Sequence, residues 1–126
     1  MKNLKALVLL LALPLLAVTQ PMEHTDDAHC HAATQADDNP AIVVWCTSAA
    51  EDHVTDAEGE SGDSRAIDLV MGAMQLLITA LAHREMGDSN YQYLVDNARQ
   101  ALQEAAQAAR SNRVILLVQH AQESLP

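Results

Sequence analysis

The sequence predicts an all-α fold, an antiparallel four-helix bundle behind a disordered acidic N-terminal tail, and three observations carry that expectation. The first is composition: with no Phe, one Trp and two Tyr, a core must come from Leu, Val, Ile, Met and 22 Ala residues, which suits closely packed helices better than a β sandwich. The second is apolar residues recurring every three or four positions in four segments. The third is that short, cap-rich connections separate the last three of those segments, which forces antiparallel neighbours. The 126 residues hold one small domain.

Residues 1–19 are expected to be a signal peptide. Lys2 and Lys5 precede an apolar run from Ala6 to Val18, 13 residues long, the length of a signal core and short for a membrane span. Ala17 and Thr19 occupy the small-residue positions for a cut before Gln20, and Pro21 forbids a cut immediately before itself. No Cys directly follows the run, so no lipid anchor is expected. The expected destination is the periplasm or the exterior, with no membrane partner after cleavage.

Cleavage sharpens the charge. Both lysines leave with the signal, and five Arg then face 17 acidic residues for a net charge of −12. Gln20 to Ser64 holds eleven acids and no Lys or Arg. Such a surface repels polyanions, which excludes a nucleic-acid partner and leaves a basic protein as the macromolecular partner the charge allows. Gln20 to Asp38, acidic and poor in apolar residues, is expected to be a solvated, disordered tail.

The bundle is expected over residues 39–126. In its first helix, about 40–57, Asn39 reads as the N-cap with Pro40 at the first helical position. Ile42, Cys46, Ala49, Ala50, His53, Val54 and Ala57 form the stripe, although His53, beside Glu51 and Asp52, reads as facing solvent. Glu58 to Asp63 is a linker, and Asp63 or Ser64 caps a second helix running to Met86 and stopped by Gly87. That helix is almost wholly apolar from Ala66 to Ala82, but Asp68, Gln75 and Thr79 inside it favour a buried bundle helix over a membrane span. Asp88 or Ser89 caps the third, whose stripe runs from Tyr91 to Ala109, and Ser111 caps the fourth, which carries Val114, Leu117, Val118, Ala121 and Leu125.

Leu94-Val-Asp-Asn-Ala-Arg-Gln-Ala-Leu102 repeats as Leu117-Val-Gln-His-Ala-Gln-Glu-Ser-Leu125. With Ala80-Leu-Ala-His83-Arg-Glu-Met-Gly87, these segments resemble the small metal-binding proteins of bacterial periplasms, over roughly residues 73–125. The resemblance implies a signal peptide, a short helical bundle of His-Ala-x-x-Ala/Ser-Leu repeats and reversible binding of divalent metals, copper especially. Only His83 and His120 fall on matching His positions; Asp88, Asn97 and Glu104 stand where the pattern often has His. Metal capacity is therefore expected in the tail and the first helix.

The tail has suitable donors. Met22-Glu-His24-Thr-Asp-Asp-Ala-His29-Cys30-His31 places a thioether, three imidazoles, a thiol and three carboxylates within ten residues. An extended segment of this kind wraps one ion, and imidazole with sulfur selects copper, or zinc or nickel, over calcium and magnesium. His24, His29, Cys30, His31, His83 and His120 are the candidate metal ligands, with His83 and His120 sharing the tail's end of the bundle. The alternative for Cys30 is a disulfide with Cys46, the only other cysteine, 16 positions on. For His83 and His120 it is interaction with a helix C-terminus.

Catalysis is not expected. There is no Glu-x-x-His di-iron signature and no phosphate-binding glycine loop, and Gly-Asp-Ser at 62–64 and 87–89 serves helix capping. Two functions remain: an exported protein that reversibly binds or buffers transition metals such as copper, or a non-catalytic acidic helical interaction or stress-response protein without metal.

Overall fold

The computed structural model describes Lys5 and residues 25–126. The expected signal peptide, apart from Lys5, and the candidate ligand His24 lie outside the described residues. Among those described, the fold is all-helical: α1 (Thr25–Gln35), α2 (Asn39–Glu58), α3 (Gly62–Glu85), α4 (Tyr91–Ala108) and α5 (Asn112–Glu123). The last four coincide with the expected helices, whereas α1 falls inside the segment expected to be disordered.

That segment folds because of what it touches. Asp27, Cys30 and Thr34 recur at helical spacing and are buried against the body, and Asp26 and Asp27 place negative charge in the first turn, where the helix dipole favours it. A Cys30–Cys46 disulfide joins α1 to α2. Asp37, at φ 55°, takes the left-handed conformation that ends α1, with the Asp38 N–H donating to the Ala33 carbonyl.

The caps shift slightly from expectation. Asp38, one residue before Asn39, caps α2 and accepts from the Ala41 N–H at 3.2 Å. Asn39 instead donates to Glu85 at the end of α3, and the Lys5 ammonium joins both residues and Asp37. Ser61 takes the cap position of α3, which frees Asp63 to accept from the Arg110 and Ser111 N–H groups at 2.7 and 3.1 Å. Those backbone bonds hold its carboxyl below the usual range and tie the start of α3 to the α4–α5 turn. Asn90, not Asp88 or Ser89, takes the cap position of α4, and Asp88 accepts from its N–H. Ser111 caps α5 as expected. Gly87, at φ 78°, ends α3 in the left-handed conformation.

α3 is the hub. It packs against α2 and α4; α1 lies on α2, and α5 rests on α4 and α3. Leu69, Val70, Met71, Met74, Leu77, Ile78 and Leu81 of α3 are all essentially buried. α3 is long and apolar enough to cross a membrane, but 78% of its most apolar window is covered by the other helices, as in the core helix of a globular domain. At Gly72 the α2 helix comes close: a Cβ there would sit 3.2 Å from Val54 Cγ2. That approach brings the polar side chains of α2 and α3 within bonding distance.

Candidate functional site

The strongest chemical constellation is buried and was not anticipated. His53 on α2, fully buried, sits between two carboxylates from two other helices. Its Nδ1 is 2.7 Å from Asp68 Oδ1 of α3, and its Nε2 is 2.9 Å from both oxygens of Asp27 on α1. Gln75, two turns after Asp68 on α3, donates from Nε2 to Asp27 Oδ1 at 2.6 Å. His53 was expected to face solvent; its place on the apolar stripe of α2 carries it inward, and the two carboxylates make burial tolerable.

With a carboxylate at each nitrogen, the ring is best satisfied as an imidazolium donating twice. Burial alone would lower its pKa, but the hydrogen bonds and charges of Asp27, then Asp68, outweigh that and raise it from 6.5 to about 9. Glu60, in the α2–α3 connection, is pushed upward as well. Its hydrogen bond with Asp68, followed by burial and the negative charges of Asp68 and Asp56, raises it from 4.5 to about 7, against a smaller opposing bond from Ser64.

Both shifts make alkali unfavourable. A group whose folded pKa is raised binds more protons in the folded state than in the unfolded one between the two values, so stability falls with rising pH across that window. For Glu60 the window is 4.5 to about 7, and for His53 it is 6.5 to about 9. Thermal midpoints measured from pH 5 to pH 9.5 are expected to decline steadily. A maximum at pH 8 or above would show that the carboxylates do not hold the His53 proton.

Among the described residues the candidate metal ligands are dispersed. Cys30 is bonded to Cys46 and offers no thiolate, so as a ligand it is corrected to a structural half-cystine. His29 is exposed and stacks on Trp45 with ring centroids 4.1 Å apart; His31 is half-buried, its Nδ1 without a hydrogen-bond partner among the described residues. Within the described part of the tail, His29 and His31 do not lie in an extended segment, and a helix turns residues two apart by roughly 200° about its axis. His83 Nδ1 lies 3.0 Å from Asp88 Oδ2, and His120 is exposed beside Glu123.

His83 and His120 do not meet. Ser124, one turn beyond His120, touches Met74 Sδ of α3, nine residues short of His83, a gap of about 13 Å along the helix at 1.5 Å per residue. The expectation that they share one end assumed helices of equal length, and α5 is half as long as α3, 12 residues against 24. Among the described residues no group of three or more His, Cys, Asp or Glu is placed to hold a metal ion.

An open cleft supplies a ligand-sized space. About 470 Å³ lies between α2 and α4, with Leu69 and Leu76 of α3 as its floor and Val54 and Leu94 on its walls. Glu51, Tyr93 and Glu104 stand at its rim, and Tyr93 is 67% exposed, an unusual setting for a large ring.

No family model, curated protein or solved structure matches this chain.

The sequence contained one usable signal for the buried network. Asp68 and Gln75 are seven residues apart inside an apolar helix, so they share a face, and a shared polar face in such a helix calls for a buried partner. Asp27 offered no comparable signal, because its burial depends on α1 being a helix at all.

Proposed function

We propose that this chain is an exported, non-catalytic, acidic helical binding protein whose ligand or partner seats in the cleft between α2 and α4. The observation that carries this reading is the cleft itself: an apolar floor and walls left open to solvent in a molecule of net charge −10. Its volume lies within the range of about 300–1,000 Å³ usual for small-ligand sites, and such sites occur between the helices of bundles. Export is supported by the apolar run from Ala6 to Val18 and by the Cys30–Cys46 disulfide, which persists in oxidising compartments.

An antiparallel order of α2 to α5 belongs to the same proposal. For α2 and α3 it is supported by Asn39 at the start of α2 bonding Glu85 at the end of α3, and by Arg65 near the start of α3 bonding the Ala57 carbonyl near the end of α2. The neutral dye Nile red tests the cleft: one saturable site is expected in the parent protein and none in Leu94→Arg. Dye binding unchanged by Leu94→Arg would remove the cleft as the site.

Reversible transition-metal binding is the second reading. It rests on the resemblance to small periplasmic metal-binding proteins and on two imidazoles of α1, exposed His29 and half-buried His31, whose Nδ1 has no hydrogen-bond partner among the described residues. Copper and zinc titrated calorimetrically at neutral pH, before and after thiol reduction, should then give binding that strengthens when Cys30 and Cys46 are freed, and that weakens below about pH 6 as imidazole protonates. Heats equal to dilution in both states would discard this reading.

A further inference from the structure

The cleft selects by charge as well as by shape. Two of its polar lining residues, Glu51 and Glu104, are acids, and none is Lys, Arg or His. The guanidinium that reaches a lining residue, Arg65, is already engaged: it donates from Nη1 to the Ala57 carbonyl at 2.7 Å and from Nη2 to Glu104 at 3.3 Å. An anionic headgroup in the cleft would therefore lose its hydration and gain no cation. A cationic one would meet Glu51, which is exposed on α2, and the partly compensated Glu104.

The cleft is also long. Tyr93 and Glu104, both on α4 and both lining it, are eleven residues apart, about 16 Å of helix at 1.5 Å per residue. Arg65 joins Glu104 to the closing turn of α2, so the acidic end of the cleft lies beside that turn and the exposed Tyr93 ring stands at the other end. Leu69 and Leu76, two turns apart on α3, run beneath. An extended apolar chain would lie along this floor with its charged end at either carboxylate.

From this arrangement we infer that the α2–α3–α4 cleft binds an elongated cationic amphiphile, an apolar chain bearing a protonated amine or quaternary ammonium. The inference rests on the cleft being the binding site of this protein and adds the chemistry of its ligand.

The full chain is titrated, below the micelle threshold of each probe, with dodecyltrimethylammonium, dodecyl maltoside and dodecyl sulfate, read by calorimetry and by amide chemical shifts. The expected result is one saturable site for the cation, shifts centred on Val54, Leu69 and Leu94, and no site for the sulfate. Glu51→Gln should weaken the cation by about three- to tenfold, the scale of a single exposed charge pair. Asn97→Trp, which places a ring in the cleft, should abolish binding, while Ala32→Trp on the exposed side of α1 should not. Equal binding of the cationic and neutral probes at those residues would overturn the charge selection and leave the cleft standing as a site. Cation binding at many sites, indifferent to Asn97→Trp, would overturn the inference in favour of adsorption to the acidic surface. No shifts at the cleft with any probe would remove both the inference and the reading beneath it.

Discussion

Replacing His53 with Ala is expected to lower stability by about 3–5 kcal/mol, the cost of leaving one side of a buried ion pair without its partner. The direction follows from the geometry. Asp27 and Asp68 are buried, and each is held within 3 Å of an imidazolium nitrogen. Without the ring, two carboxylates face a cavity, and Glu60 adds a third acid beside Asp68. Urea unfolding followed by circular dichroism near pH 6.5 measures the loss. Neutralising the acids as well, in Asp27→Asn/His53→Ala/Asp68→Asn, should recover part of it, because the amides need no counter-charge. A loss below about 1 kcal/mol in the single variant would mean that the carboxylates are hydrated and the network contributes little.

The second large effect concerns sulfur. Cys30→Ala/Cys46→Ala is expected to cost about 3 kcal/mol, the loop-entropy value for a bridge closing roughly fifteen residues. Both cysteines are buried, so the loss includes little new exposure in the folded state. The two effects should not add. The bridge and the His53–Asp27 pair fasten the same helix, so once α1 has detached in one variant the other substitution finds part of its interaction already gone. A double-mutant cycle measures this as a combined loss smaller than the sum. Strict additivity would place the two fastenings in independent units.

Much of the fold was legible in the sequence because helices announce themselves locally. Ser111 caps α5, Gly87 stops α3 and Pro40 opens α2, each through chemistry confined to one turn. The periodicity of α2 placed His53 on the buried stripe correctly. Its neighbours Glu51 and Asp52 favour solvent, and a buried imidazole is stabilised only by residues far away in sequence. Asp27 is 26 positions from His53, and Asp68 is 15. No local rule reaches that far. α1 was illegible for a related reason: its buried face is Asp27, Cys30, Ala33 and Thr34, which has almost no hydrophobic signal. The metal expectation assumed an extended tail, and helix formation alone separates His29 from His31.

The way α1 is fastened has a consequence for how the molecule comes apart. Its buried apolar side chains are only Cys30 and Ala33, so a covalent bond and a charge pair hold it where the other helices use hydrophobic area. Apolar area responds mainly to temperature and denaturant, whereas a disulfide responds to electron supply and an imidazolium to proton supply. The amides of α1 should thus exchange with solvent as a cooperative unit whose opening free energy is set by reductant and pH, while those of α3 report the global stability. One small chain then carries two thermodynamic clocks, one set by the chemistry of its surroundings and the other by the volume of its core.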